Sequence, residues 1–195
     1  MKKLPNILCM IRIILIPFIL IFLLPNPISD MLTAFTRILV SGIIFGLAML
    51  TDLADGKIAR KYDAITTFGK FIDPIADKLL VISVMLAFVD LGLISSVPVI
   101  IVLAREFLVT GMRLGAVGQG VVVAANIWGK IKTTVQGISL GLSFVVLMIA
   151  SIMSPEITEI NRSLSLLPAI LSWLIAAVTA ISAFSYYRQC KEYIR

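Results

Sequence analysis

Long apolar runs alternate with short polar breaks along this chain. The first run covers residues 4–24, with Lys2 and Lys3 ahead of it and only Asn6 and Arg12 interrupting it. Residues 25–30, with prolines at 25 and 27, end it, because proline does not continue a helix. A second run, 32–50, passes without a breaker into the polar stretch 51–61, as in a helix that leaves an apolar medium and projects into water. The third run, 67–91, carries Asp73 and Asp77 in its first half, and the fourth, 95–111, has Arg105 and Glu106 near its end. The fifth covers 126–153, and the sixth, 164–187, precedes the basic tail 188–195. Crossing a bilayer takes a helix of about 20 apolar residues. The pattern therefore predicts an all-α polytopic membrane protein of six transmembrane helices, forming one domain over residues 1–195. The first run starts like a signal peptide but lacks a small-residue cleavage site, so a retained first helix is expected, its beginning lying in the membrane plane.

Composition agrees. Of 195 residues, 59% are apolar and 14% charged, against about 45–50% and about 25% in soluble domains. That excess excludes a soluble globule. Histidine is absent, which excludes His-based triads, His proton shuttles and HExxH zinc sites. Cys9 and Cys190 stand near opposite ends and make neither a zinc spacing nor a disulfide framework.

The net charge of +6 points to anionic lipid headgroups and topology rather than to nucleic acid, for which no motif is present. Basic residues cluster at the N-terminus, at Lys57, Arg60, Lys61 and Lys70, at Arg113 and Lys130, and at Arg188, Lys191 and Arg195. Residues 25–32 and 90–96 carry none, and Arg162 faces two acids, Glu156 and Glu159. The positive-inside rule then puts both termini in the cytoplasm and requires an even number of spans. Glycine pairs four apart, Gly42 with Gly46, Gly111 with Gly115 and Gly137 with Gly141, read as close helix packing.

The acidic residues carry the chemistry. Asp52 and Asp55 are three apart and Asp73 and Asp77 four apart, so each pair shares a helix face. If those helices are neighbours, four carboxylates converge at the cytoplasmic membrane edge. Lys57, Arg60, Lys61, Lys70 and Lys78 offer one means of neutralising them, as ion pairs. Hard divalent cations offer another, because an oxygen-only donor set suits Mg2+, Mn2+ or Ca2+. Gly56, Ala59 and Gly69 are small residues beside the carboxylates, opening a slot that a nucleotide could enter, with Arg60 placed to meet its phosphates or base. Each small residue alone reads more readily as helix packing, but the combination is hard to obtain by chance.

The string Asp52-Leu53-Ala54-Asp55-Gly56-Lys57-Ile58-Ala59-Arg60, then eight residues, then Gly69, Asp73 and Asp77 at intervals of four, resembles the signature of the CDP-alcohol phosphatidyltransferase family. Leu4-Pro5-Asn6-Ile7 with Arg12 and Pro17, Ala104-Arg105-Glu106-Phe107 with Gly111 and Arg113, and Gly129-Lys130-Ile131-Lys132-Thr133 resemble its bacterial branch that makes phosphatidylglycerophosphate. The resemblance implies transfer of a phosphatidyl group from CDP-diacylglycerol to sn-glycerol 3-phosphate, with release of CMP. It implies Asp52, Asp55, Asp73 and Asp77 as ligands of two divalent cations, Mg2+ or Mn2+. It implies Gly56, Ala59, Arg60 and Gly69 around the cytidine diphosphate, and Asp77 as the proton acceptor; Asn6 and Arg12 are placed beside the cytidine or lipid phosphates, with helix-end anchoring an equal reading. A homodimer in the cell membrane also follows from it.

An anionic acceptor needs a basic pocket, and Arg105, Arg113, Lys130 and, more weakly, Lys132 are assigned to it; snorkelling to lipid headgroups is the competing reading. Arg105 and Glu106 could equally form a structural ion pair. Other members of the family, with serine, inositol phosphate or phosphatidylglycerol as acceptor, remain alternatives, as do a divalent-cation transporter and a non-catalytic scaffold. Pro74, directly after Asp73, predicts a third helix that kinks there or starts near Asp73.

Overall fold

Each apolar run is a helix. The computed structural model describes the backbone of residues 4–61, 67–118, 126–153 and 162–190, and the side chains of residues 9–51, 75–113, 126–152 and 166–189. Six long helices make up the fold: α1 (Leu4–Leu23), α2 (Ala34–Lys61), α3 (Thr67–Asp90), α4 (Ser96–Gly118), α5 (Ile127–Met153) and α6 (Arg162–Cys190). The described residues contain no strand. As expected, α2 runs unbroken from its apolar part to Lys61. The fourth helix extends seven residues beyond the expected end at Gly111, since a lone glycine such as Gly115 weakens a helix without stopping it. One helix runs through Pro74 from Thr67, so α3 does not start near Asp73. A kink at Pro74 lies outside the residues whose side chains are described.

Local chemistry sets the helix ends. At the break after α1, Asn26 Oδ1 accepts from the backbone N–H of Ile28 and of Ser29, each at 3.0 Å. Asn26 Nδ2 donates to the carbonyls of Ile21 at 2.5 Å and Leu24 at 2.8 Å, and Ser29 Oγ also donates to Leu24 O at 2.9 Å. The guanidinium of Arg37 donates to the carbonyls of Phe22 and Leu23, at 3.5 and 3.4 Å, and pairs with Asp30 at 3.5 Å. The orphan carbonyls of α1 are thus satisfied without water, and a cation sits at the negative end of its dipole. A short 3-10 helix, Ser29–Met31, leads into α2. Thr33, Ser95 and Asn126 cap α2, α4 and α5, their side-chain oxygens accepting from the N–H groups of Thr36, Val97 and Trp128. After α3 the chain turns at Gly92 with φ of 70°, a left-handed conformation that glycine adopts without strain.

Packing runs around a ring, from α1 to α2, α5, α6, α4 and α3 and back to α1, and α3 also touches α5 across the middle. One half of the interior is apolar: Ile16, Ile19, Phe45, Val84, Phe88, Phe144 and Leu147 belong to one cluster. Phe144 lies against both Phe45 and Phe88 at 5.3 Å between ring centroids. Outward, every helix presents apolar side chains, among them Phe18, Leu47, Leu86, Ile100, Leu142 and Trp173. Three helices are long and apolar enough to cross a membrane, over Ala34–Thr51, Ile127–Ile152 and Leu166–Gln189, and α1 adds a shorter apolar stretch, Cys9–Leu23. A surface this apolar fits lipid, and the chain is a membrane protein. In lipid the apolar interior is held by packing and dispersion rather than by exclusion of water.

Phe144 is the joint of that interior. Replacing it with alanine removes two aromatic contacts and leaves a cavity, so Phe144→Ala should destabilise the bundle by about 3–5 kcal/mol. Unfolding in mixed detergent micelles, followed by circular dichroism, would measure it.

Candidate functional site

The other half of the interior is polar. Its hub is Glu106, on α4 and 6% exposed. Glu106 Oε1 accepts from Arg105 Nη1 at 3.1 Å and from Lys132 Nζ of α5, while its Oε2 faces Lys78 Nζ of α3 at 3.8 Å. Lys78 Nζ also donates to Thr110 Oγ1 at 2.6 Å, and that hydroxyl donates to the carbonyl of Glu106 at 2.6 Å. Arg105 Nη2 reaches Ser182 Oγ of α6 at 2.7 Å. One carboxylate therefore ties four helices together. A buried carboxylate facing water-free surroundings would be very costly; three cations make it tenable.

A second knot forms around Tyr186 of α6, whose hydroxyl accepts from Arg113 Nη2 at 2.5 Å and from the backbone N–H of Asn126 at 3.0 Å. The guanidinium carbons of Arg113 and Arg105 lie 4.8 and 5.4 Å from its ring centroid, within cation–π range. Asn126 Nδ2 donates to Ser185 Oγ at 2.5 Å. Gly129 packs closely here: a Cβ at that position would stand 3.1 Å from the Tyr186 hydroxyl, which would have to shift by a few tenths of an ångström.

These groups enclose a chamber of about 470 Å3 between α3, α4, α5 and α6. Its lining includes Lys78, Arg105, Arg113, Lys130 and Lys132 against Asp77 and Glu106. Among the described residues, five cations against two carboxylates leave a positive surplus, which suits an anion. The Nε of Arg105 and of Arg113 is buried with no acceptor among the described residues. Lys130 is exposed, whereas Lys132 is buried in its pair with Glu106.

A second cavity, about 410 Å3, lies between α2, α3 and α5. It is lined by Phe45, Met49 and Leu50 of α2, Val81 of α3 and Ile138 of α5, and by the glycine pairs of α2 and α5. The close packing expected of those glycines is found at one member of each pair, where a Cβ at Gly42 would touch the Phe144 ring and one at Gly137 would clash with the tip of Met49. A Cβ at Gly46 or Gly141 would meet nothing within 4 Å, so these positions open space. Asp77 lines both cavities and stands between them.

The sequence-derived set therefore divides. Asp77, Arg105, Arg113, Lys130 and Lys132 come together at the chamber. Asp52, Asp55, Gly56, Ala59 and Arg60 fall on the C-terminal part of α2, Gly69 and Asp73 on the N-terminal part of α3, and Asn6 at the start of α1. The side chains of those eight lie outside the described residues, as does a four-carboxylate cluster. Arg12 is fully buried in the bundle. Reading along the chain missed the roles of Glu106 as hub, Lys78 as its third cation and Tyr186 as the arginine platform. Only the Arg105–Glu106 adjacency signalled any of this. Tyr186 sits with Tyr187 where α6 turns basic, which reads as an interfacial anchor.

Comparison with known proteins adds three similarities. The profile of the CDP-alcohol phosphatidyltransferase family matches residues 2–182. A CDP-diacylglycerol–glycerol-3-phosphate 3-phosphatidyltransferase of Rickettsia bellii is 38% identical over 193 residues, 98% of this chain and 97% of that protein. A protein of the same name from Bacillus subtilis is 45% identical over 141 residues, covering 70% of this chain and 73% of its own.

The hub generates a stability prediction. Glu106→Gln leaves Lys78, Arg105 and Lys132 mutually uncompensated and should cost about 3–5 kcal/mol. Glu106→Gln combined with Lys132→Met should recover part of that loss, because a buried cation goes with the anion. Thermal transitions of the two variants in detergent would check the order.

Proposed function

The chain belongs to the CDP-alcohol phosphatidyltransferase family, and from that membership we propose that it transfers the phosphatidyl group of CDP-diacylglycerol to sn-glycerol 3-phosphate. The products are phosphatidylglycerophosphate and CMP. It is an enzyme of phospholipid synthesis. The observation that carries the acceptor is the chamber with its surplus of cations, beside an apolar groove that shares Asp77 with it. A small phosphate ester fits the first, and a diacyl chain fits the second.

In this reading the hydroxyl of glycerol 3-phosphate attacks the phosphatidyl phosphorus, a new P–O bond forms, and the pyrophosphate bond to CMP breaks. Asp77 accepts the hydroxyl proton, since the chain has no histidine to do so. Arg113 and Lys130 hold the acceptor phosphate, with Arg105 behind them. Lys132 acts by holding Glu106 in place. Tyr186 aims Arg113 by accepting its N–H and offering its ring face. Asn6, Gly56, Ala59, Arg60 and Gly69 border the cytidine diphosphate.

The donor set Asp52, Asp55, Asp73 and Asp77 is all hard oxygen and fits Mg2+ or Mn2+. Two such ions held there would supply charge neutralisation at the pyrophosphate. The proposal extends to one membrane domain of six spans, with both termini and the active site on the cytoplasmic side of the cell membrane. It also extends to a homodimer, which mass measurement in detergent would test. On that topology the acyl chains stay in the bilayer while the soluble acceptor arrives from water.

The deciding assay is CMP release from CDP-diacylglycerol in detergent micelles with Mg2+, offered glycerol 3-phosphate, serine, inositol phosphate or no acceptor. Release with glycerol 3-phosphate alone is expected, lost on chelation and restored by Mg2+ or Mn2+. Asp77→Asn should slow it by about 10²–10⁴-fold. Release with a different acceptor would overturn the acceptor assignment.

Tyr186→Phe tests the positioning of Arg113. The KM for glycerol 3-phosphate should rise about tenfold while that for CDP-diacylglycerol stays unchanged. Equal changes in both would show a structural role only.

A further inference from the structure

Among the buried polar groups that the chemistry described so far leaves over, one lies beside the site. Gln136, on α5, is buried at 3% exposure, and its Nε2 has no hydrogen-bond partner among the described residues. Buried amides are normally satisfied, and an orphaned donor calls for an explanation. Its place supplies one. Gln136 lines the apolar groove and also the narrow cleft that contains Asp77, Lys78, Glu106 and Lys132. It lies one turn beyond Lys132, about 6 Å along the α5 axis. The donor N–H thus sits where the charged site gives way to the apolar groove.

The groove on the other side of Gln136 is shaped for a flexible chain. Gly46 and Gly141 leave open space, and the tip of Met49 lies at Gly137, forming a wall that can adjust. Leu50 and Ile138, both lining it, are exposed on the lipid side. A lipid entering there with its phosphate near Asp77 would bring one kind of group to the level of Gln136. Between the phosphate and the acyl tails of a diacyl lipid lie the ester carbonyls, neutral acceptors with no proton to give.

We propose that Gln136 Nε2 donates a hydrogen bond to an acyl ester carbonyl of the phosphatidyl donor seated in the α2–α3–α5 groove. This rests on the function proposed above and adds a binding residue to it. The enzyme then reads the ester linkage of its lipid substrate as well as its headgroup. Gln136 makes no contact with the reacting atoms and is a binding residue, so its contribution falls on the KM of the donor.

The experiment pairs protein variants with a change in the lipid. Wild type, Gln136→Leu and Gln136→Met are assayed with CDP-diacylglycerol and with the ether-linked analogue of matched chains, which lacks the carbonyls. Wild type should favour the ester by about fivefold in kcat/KM, the effect of one hydrogen bond. Both variants should lose that factor on the ester only, and treat ester and ether alike. The KM for glycerol 3-phosphate should not move. Both variants should unfold at the wild-type temperature or above, since an unsatisfied buried amide has been removed.

A variant that keeps the ester preference, or a wild type without one, would overturn the inference. Equal losses on both lipids would overturn it too, and would point to a structural role or to a buried water held in the cleft. A folded wild type that releases no CMP from either lipid would instead overturn the proposed function, and the inference with it.

Discussion

The carboxylate of Glu106 is the constraint around which the polar half of this protein is arranged. It stands inside an apolar bundle, and its charge is tolerable only because Arg105, Lys132 and Lys78 reach it from three helices. Each of those cations is in turn tied elsewhere: Arg105 to Ser182 and the Tyr186 ring, Lys78 to Thr110. Moving any one of α3, α4, α5 or α6 would strand a charge away from water. An apolar contact tolerates sliding, because one methyl group is much like another. A buried ion cluster does not. The hub thereby fixes helix register in the part of the molecule where distances must be kept.

That arrangement also separates roles among basic residues that look equivalent in the sequence. Arg105 and Lys132 are largely occupied by Glu106, whereas Arg113 leans on a neutral tyrosine and Lys130 is exposed. A cation already neutralised by a carboxylate offers little to a second anion. One held by a hydroxyl and an aromatic face keeps its full charge for a ligand. The chamber's positive surplus among the described residues thus rests on Arg113 of α4 and Lys130 of α5, while Arg105 and Lys132 are neutralised by Glu106.

The sequence displayed some of this and hid the rest for physical reasons. Helix number and position were legible because each apolar run is bounded by prolines, glycines or charges, and because nothing interrupts α2 between its apolar part and Lys61. Asp77, Arg113 and Lys130 were legible as candidates, and the structure brings them to one chamber, because ionised groups near a membrane need a reason to be there. Glu106 as a hub was not, since its second and third cations come from helices α5 and α3, far away in sequence. Tyr186 was hidden because an aromatic beside a basic tail is what any membrane helix shows at its end. The glycines of α2 and α5 were legible as small positions, but spacing alone does not tell a tight contact from a gap. Here Phe144 and Met49 close on Gly42 and Gly137, while Gly46 and Gly141 leave open space along the groove.

The two cavities differ in what surrounds them, and this difference orders the site. Cations and hydroxyls on four helices wall the chamber, so a ligand there exchanges water for fixed donors. The groove is walled mostly by apolar and missing side chains, with Thr133 and Thr134 among them, so a ligand there exchanges lipid for protein at little gain in solvation. Affinity for a lipid in the groove must therefore come from shape and from the few polar groups at its inner end. Asp77 and Gln136 are both at that end. One carries a charge suited to the reacting centre; the other carries a neutral donor suited to the uncharged part of the same lipid. Placing the charged group at the junction also keeps it next to the cations of the chamber, without which a carboxylate on a membrane helix would be strongly disfavoured. The position that makes Asp77 electrostatically tolerable is thus the same position from which it faces the charged chamber on one side and the apolar groove on the other.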